Sequence, residues 1–520
     1  MTVSGAQTAR EPLTVIVLAA GEGTRMKSPG RPKVLHGFAG RSLVGHALAA
    51  TEGLAADITA VVIGHCREQV AEHLRQIAPA AIPVVQAEQN GTGHAVRVAL
   101  AEIEQRTGQP VTGTALVLPG DAPLLTPATL AGLLAEHTEG RAAATLLTSV
   151  IADPSGYGRV IRDPGRPERV SRVVEHRDAT PAELQVSEVS ALVYAFDAGL
   201  LREAVGRLST DNAQGEEYLP EVVSILVAEG RDVLARLAPA FETAGVNDRV
   251  QLAAAHRTYN LRLLEQHMRA GVTVIDPATT WLDAGVVIGP DATLQPNVQL
   301  HGATRIAGNA VIGPDSTLTD TEVGEGSVLH RTVANQARIG AGVTVGPYAY
   351  LRPGTVLGDQ AHIGTYVEVK ASEIGAGSKV PHLSYVGDAS IGEHTNIGAA
   401  TVFVNYDGVH KHRSTVGSHA RTGADNMFIA PVSIGDGAYT AAGSVISSDV
   451  PPGALGVGRA RQRNVAGWVL RRRAGTAAAQ AAEQAQAAEQ AVQAAEVADP
   501  AEVAAARTAT EPEERGSMQA

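Results

Sequence analysis

The chain has 520 residues and a net charge of −12, which argues against a general nucleic-acid partner, and only 3% of its residues are aromatic. No run of about 18 or more apolar residues occurs and residues 1–11 lack the charged-then-apolar layout of a signal peptide, so a cytoplasmic protein with no membrane attachment is expected. The single cysteine, Cys66, excludes an intrachain disulfide framework and a cysteine-rich zinc site, and its neighbour His65 has no second pair at ligand spacing.

Residues 12–249 alternate strand-like and amphipathic runs. Leu13-Thr14-Val15-Ile16-Val17-Leu18, Ile58-Thr59-Ala60-Val61-Val62-Ile63 and Ala115-Leu116-Val117-Leu118 are continuous apolar runs, as a sheet buried on both faces requires. Helical segments fall between them, so a Rossmann-like α/β domain with a mostly parallel sheet is predicted. The first run opens into Leu18-Ala19-Ala20-Gly21-Glu22-Gly23-Thr24-Arg25-Met26, with Lys33 seven residues beyond Met26. Gly21 and Gly23 let backbone N–H groups converge on an anion, while Arg25 and Lys33 supply the positive charge that a triphosphate needs. Neither a Walker ending nor the third glycine of a dinucleotide fingerprint is present. Residues 250–271 read as a helix bridging two domains, with Leu252, His256, Tyr259, Leu263 and Met268 near helical spacing and Gly271 closing it.

Residues 272–468 follow a different pattern, with an aliphatic residue at every sixth position. Ile288, Leu294, Leu300, Ile306, Ile312 and Leu318 keep register, as do Ile339, Val345, Leu351, Leu357 and Ile363. Many are followed by glycine, which is expected to permit the tight corners of a left-handed parallel β-helix, a triangular prism whose coils stack at roughly 4.8 Å. Arg352 and Lys370 are eighteen residues apart, one coil of three hexads, and so are expected to stack on one face where they can share a phosphate. His382 falls twelve residues further on, two faces around, within reach of that pair from an adjacent subunit or a displaced loop. Residues 402–416 break the register and carry His410, Lys411, His412 and Arg413; a loop reaching a neighbouring site and a solvated charged loop both fit. Residues 469–520 are rich in Ala, Gln and Glu, with almost no large apolar residue to dock the transient helix that 477–506 could form, and are expected to be disordered.

The glycine loop resembles the signature of sugar-phosphate nucleotidyltransferases. Three further segments, Gln86-Ala87-Glu88-Gln89-Asn90-Gly91-Thr92-Gly93-His94, Gly156-Tyr157-Gly158-Arg159 and Val174-Glu175-His176, narrow the likeness to the bacterial bifunctional N-acetylglucosamine-1-phosphate uridyltransferases and glucosamine-1-phosphate N-acetyltransferases. The match spans residues 13 to about 461. It implies that Leu18, Ala20, Gly21, Gln86, Gly91 and Thr92 bind the nucleotide, that Arg25 and Lys33 act in catalysis, and that Gly156, Glu175 and Ser190 hold the sugar. Asp121 and Asn247 match the ligands of a magnesium ion (Mg2+), and by resemblance the sugar-1-phosphate oxygen attacks the α-phosphorus of UTP in line. Two departures stand out. Ser190 and Leu192 occupy the places of an asparagine and a glycine, and the segment from Met26 to Lys33 is a residue longer than usual, so sugar discrimination is expected to differ.

In the repeat, the resemblance implies that His382 is the general base on the amino group of glucosamine-1-phosphate. Arg352, Lys370, Tyr385 and Asn396 match sugar-phosphate positions, Asn405 and Tyr406 match both sugar-contacting and acetyl-CoA-binding positions, and Ala399, Ala424, Ala442 and Arg459 match acetyl-CoA contacts, Ala424 replacing a serine. The function expected is acetylation of glucosamine-1-phosphate followed by uridylylation of N-acetylglucosamine-1-phosphate, in a homotrimer whose seams gather Asn405, Arg352 and His382. Two other readings are open: a nucleotidyltransferase with a purely structural β-helix, and a carbonic-anhydrase-like β-helix with His362, His382 and His394 on a metal.

Overall fold

The structure is a computed structural model that describes residues 10–498. Residues 1–9, part of the segment read for a signal peptide, and residues 499–520, the end of the tail expected to be disordered, lie outside the described residues. The described residues form two compact units, divided between Gly458 and Arg459.

In the first unit a nine-stranded sheet runs in the order Ile82–Val85, Ile58–Ile63, Leu13–Ala19, Thr114–Pro119, Glu188–Asp197, Ala144–Val150, Val233–Leu237, Arg166–Val174 and Arg159–Asp163. The continuous apolar runs are buried on both faces because alternate side chains enter different cores. Val15 and Val17 join Leu116 and Leu118 on one side of the sheet, while Ile16 joins Ala115 and Val117 on the other. Leu13–Ala19 is parallel to both its neighbours, Ile58–Ile63 and Thr114–Pro119. Since the chain moves outward to one side and then returns to the other, a crevice opens beyond the carboxyl ends of these strands. Glu188–Asp197 is antiparallel to its neighbours, and its register slips between Ser190 and Tyr194.

The helix expected over 250–271 spans Arg249–Arg269, capped by the Asp248 side chain, which accepts from Val250 N and Gln251 N. Its side chains build a joint of stacked rings. Phe38 packs against His46 and His256 with centroids at 4.5 and 5.2 Å, and His256 packs against Trp281 at 4.6 Å. Asn260 donates to Thr280 O (2.7 Å) and accepts from Leu282 N (2.9 Å), and Ala284 N donates to Ala39 O (2.9 Å), tying the first coil of the repeat to the helix and the sheet domain.

From Thr273 to Ile446 the chain winds through three parallel sheets of seven, ten and nine strands, the parallel β-helix the hexads predict, and a two-stranded pair of Tyr439–Thr440 with Leu455–Gly456 follows. Val287 lies opposite Arg305 and Tyr350 opposite Glu368, a spacing of eighteen. The hexad residues point inward: Leu294, Leu300, Ile312, Leu318, Leu351 and Ile363 are fully buried, each contributing about 1.5–3 kcal/mol relative to exposure. The register break at 402–416 sits in one long coil, in which Ser390 lies opposite Thr415.

The glycines after the aliphatic residues work differently from expectation. Apart from Gly346 (φ +96°) they do not have positive φ, and the left-handed corner residues are instead Asp291, Asn297, Asn309 and Asp315 and, elsewhere, Gly326 and Gly342. They are needed because coils approach closely: a Cβ on Gly324 would lie 2.4 Å from Gly340 C, one on Gly340 3.0 Å from Gly358 C, and one on Gly375 2.5 Å from Gly392 C. A column of glycines therefore climbs one edge of the prism.

In the second unit the helices Trp468–Arg472 and Ala477–Ala498 are formed. The second of these falls where a transient helix was expected within the tail, since alanine has the strongest intrinsic helix preference and needs no apolar face to express it. Among the described residues no helix is long and apolar enough to cross a membrane.

Candidate active sites

The crevice holds a cleft of about 280 Å³ lined by Leu18, Ala20, Gly21, Gln86, Gly91 and Thr92, the predicted nucleotide-binding residues, by Lys33, predicted to be catalytic, and by Asp121, a predicted metal ligand, together with Leu192. Gly23 is left-handed (φ +65°), and a Cβ there would come within 2.4 Å of Lys33 Cβ, so the loop folds down on the lysine only as glycine. Lys33 Nζ is hydrogen-bonded to the Asp121 carboxylate and lies 3.3 Å from Asn247 Oδ1, which also accepts from Arg25 Nη2 at 2.9 Å. Four residues from three distant segments thus meet at one point. Backbone bonds fix the two oxygens: Val246 N donates to Asp121 O (2.8 Å) and Asn247 N to Gln251 Oε1 (2.7 Å). One carboxylate and one amide oxygen, facing the glycine loop, suit a hard cation that keeps its other positions for phosphate and water. Asp121 caps no helix; the next helix is capped by Thr126, which accepts from Thr129 N.

Gln86 is buried and its amide is held by Gly91 O (3.1 Å) and His94 Nδ1 (3.0 Å). Gly91 has φ +104°, and a Cβ would meet Glu217 O at 2.5 Å, so a glycine is required where the helix Thr92–Thr107 starts. The predicted sugar residues stand beside this lining and not in it. Gly156 is on an exposed turn, while Glu175 approaches Gly158, 3.3 Å from the place of a Cβ. Burial raises the Glu175 carboxyl above its usual range, and the charges of Asp178 and Glu216 push the same way. Ser190 Oγ is paired with Tyr194 Oη at 2.8 Å and accepts from Leu192 N at 3.3 Å. Leu192 has φ +58° in the register slip, a conformation costly for a leucine.

On the prism, Arg352 N donates to Val369 O, which places Arg352 and Lys370 one above the other as the spacing predicts. Each has its own acid: Arg352 Nη1 lies 2.8 Å from Glu368 Oε1, and Lys370 Nζ lies 3.1 Å from Asp388 Oδ2. His382 ends the strand Lys379–His382 in a different sheet and is exposed, at the corner just before Tyr385–Gly387, which stacks on Glu368–Lys370. Asn405 is buried and hydrogen-bonds Asp388, with Tyr385 Oη at 3.4 Å. Gly387 makes room for this, since a Cβ would lie 2.4 Å from Tyr385 Oη and 2.8 Å from Asn405 Nδ2. Tyr406 is exposed and donates to Gly408 O. The charged loop folds on itself, with His412 Nε2 2.7 Å from Asp407 Oδ2.

Asn396 forms parallel bridges with Lys379 and Arg421. Ala399, Ala424 and Ala442 stack at one corner in successive coils, joined by Asp425 N to Ala399 O (2.7 Å) and Gly443 N to Ala424 O (2.8 Å). Arg459 opens the second unit. Among the described residues no three His, Cys, Asp or Glu side chains are grouped to hold a metal, so His362, His382 and His394 do not converge on one. Sequence reasoning missed Asp388 and the cleft residues Gln89 and Glu216. Asp388 looks like any other corner aspartate of the repeat, and only its position in space distinguishes it.

A family model for MobA-like NTP transferase domains matches residues 15–162, and one for bacterial transferase hexapeptides, six repeats, matches residues 336–371. The "Bifunctional protein GlmU" of Streptomyces avermitilis is 57% identical over 473 residues, covering 91% of this chain and 97% of the relative. That of Thermobifida fusca is 56% identical over 477 residues, covering 92% and 98%. That of Kineococcus radiotolerans is 54% identical over 474 residues, covering 91% and 95%.

Proposed function

Because the chain belongs to the bifunctional GlmU family, which joins acetyl transfer and uridylyl transfer in UDP-N-acetylglucosamine synthesis, we propose which of its residues perform each step. In the first reaction glucosamine-1-phosphate sits with its phosphate on Arg352 and Lys370. His382 takes a proton from the ammonium, the freed amine attacks the acetyl-CoA thioester, and the C–S bond breaks with release of the thiol. Ala399, Ala424 and Ala442 present a surface without bulky side chains to the acyl donor. In the second reaction an oxygen of the N-acetylglucosamine-1-phosphate phosphate attacks the α-phosphorus of UTP in line, and pyrophosphate leaves. Gln86, Gly91 and Thr92 seat the base and Gly156, Glu175 and Ser190 hold the sugar. Lys33 and Arg25 exchange their bonds to Asp121 and Asn247 for bonds to phosphate and neutralise the charge that develops. A magnesium ion held by Asp121 and Asn247 supplies further neutralisation when bound.

The observation that carries this reading is the meeting of Arg25, Lys33, Asp121 and Asn247 at the mouth of a cleft lined by the nucleotide-site residues. A homotrimer in the cytoplasm completes the proposal. It is supported by Val333, Tyr348, Tyr350 and Tyr366, exposed apolar residues close together on the prism, and by the exposure of His382 in a single chain. The test measures pyrophosphate release from UTP and thiol release from acetyl-CoA, each with both sugar phosphates. The expected result is pyrophosphate with N-acetylglucosamine-1-phosphate only and thiol with glucosamine-1-phosphate only. Thiol release with neither sugar would overturn the assignment of the prism site.

A further inference from the structure

Asp388 occupies a left-handed corner (φ +51°) between the strands Tyr385–Gly387 and Ala389–Ile391. Its two carboxylate oxygens lie 3.1 and 3.4 Å from Lys370 Nζ, and the side chains of the pair are only 18% and 20% exposed, the lysine first. Oδ2 also accepts from the amide of Asn405, which is 7% exposed and reaches Tyr385 Oη with the same nitrogen. Burial is the largest influence and works against the Lys370 ammonium, yet its hydrogen bond to Asp388, the Asp388 charge and smaller contributions from Lys411 and Tyr385 together hold the lysine above its ordinary pKa. The turn itself is secured by other bonds: Asp388 N donates to Lys370 O (3.0 Å), and Ser414 N donates to Asp388 O (3.2 Å). The fold therefore makes this corner without the carboxylate, whose acceptors are all directed at two residues of the acetyl-transfer site.

We propose that Asp388 is a positioning residue of that site, fixing the Lys370 ammonium on the sugar-phosphate side and the Asn405 amide on the acyl-donor side from a single partly buried carboxylate. It acts through these two groups and touches neither substrate. The inference rests on the acetyltransferase reading above.

Asp388→Asn separates charge from backbone, because asparagine also tolerates the left-handed conformation. In the full-length protein this variant should raise KM for glucosamine-1-phosphate about tenfold or more, raise KM for acetyl-CoA less, and keep kcat within about threefold. Uridylyl transfer should match the wild type. Lys370→Met should cost at least as much, and Asp388→Asn added to it should change KM for the sugar phosphate no further. Unchanged KM values, additive effects in the double variant, or parallel loss of every constant with the melting temperature would each overturn the proposal. A wild-type protein that releases no thiol with glucosamine-1-phosphate would sink the acetyltransferase reading and this inference with it, whereas the three preceding outcomes sink the inference alone.

Discussion

The two sites are built in opposite ways. The nucleotide cleft is concave, closed by loops from one sheet, and its charged residues are bonded to one another within a single chain. On the prism the residues spread over one face and its corner, with His382 and Tyr406 exposed. A twisted sheet makes its own crevice where the strand order reverses, but a solenoid has flat faces and can enclose a ligand only against another surface. One site is thus complete in one chain, and the other is expected to need a neighbour.

The largest effects should come from the groups nearest the chemistry. Lys33→Ala should lower uridylyl transfer by about 10²–10³-fold and leave acetyl transfer intact. His382→Ala should do the reverse, by about 10²–10⁴-fold, as read by paired assays of pyrophosphate and thiol release. Loss of both activities from either substitution in a folded protein would mean a shared site and break the comparison. Next comes assembly. Tyr350→Glu places a charge in the exposed aromatic patch and should yield smaller species by light scattering, with acetyl transfer falling about 100-fold while uridylyl transfer holds. An active monomer in both assays would show that the prism site is also self-contained.

The joint between the two regions offers a pH test. Burial lowers the His46 pKa from 6.5 to about 4 against the hydrogen bond to Phe38 O. A histidine held low binds its proton more weakly folded than unfolded, so its stability contribution is complete above pH 6.5 and is lost as the pH falls toward 4. The difference amounts to about 3 kcal/mol. His46→Phe should flatten this part of the melting-temperature profile between pH 4 and 7, and an unchanged slope would assign the loss to other groups. The smallest effect belongs to the sugar end of the cleft. Ser190→Asn with Leu192→Gly removes the left-handed leucine and restores a hydrogen-bonding amide, worth about 0.5–1.5 kcal/mol, and should lower KM for N-acetylglucosamine-1-phosphate several-fold. No gain would place the sugar away from this strand.

Much of this was legible because it is periodic or local. The six-residue spacing of Leu294, Leu300 and Ile312 reports a repeated environment, and the apolar run Leu13-Thr14-Val15-Ile16-Val17-Leu18 reports a strand buried on two sides. Stacking of Arg352 on Lys370 followed from counting alone. Close approach between coils is not a property of any one segment, so the glycine column was mistaken for a set of corner residues. Asp388 escaped for the same reason, since its partners Lys370 and Asn405 lie seventeen or more residues away in the chain. The helix Ala477–Ala498 shows the converse, a segment whose local preference prevails with little to pack against.

The first coil of the prism has no coil beyond it, and a strand bare along one edge is a template on which another chain can grow. Asn260 carries a donor and an acceptor on one side chain and bonds Thr280 O and Leu282 N as a peptide unit of a further coil would, while Ala39 O takes the adjacent N–H of Ala284. The side chain is a counterfeit of the missing strand. The helix that connects the two catalytic regions therefore also stops the solenoid at that end, denying it the open edge from which head-to-tail fibres would polymerise.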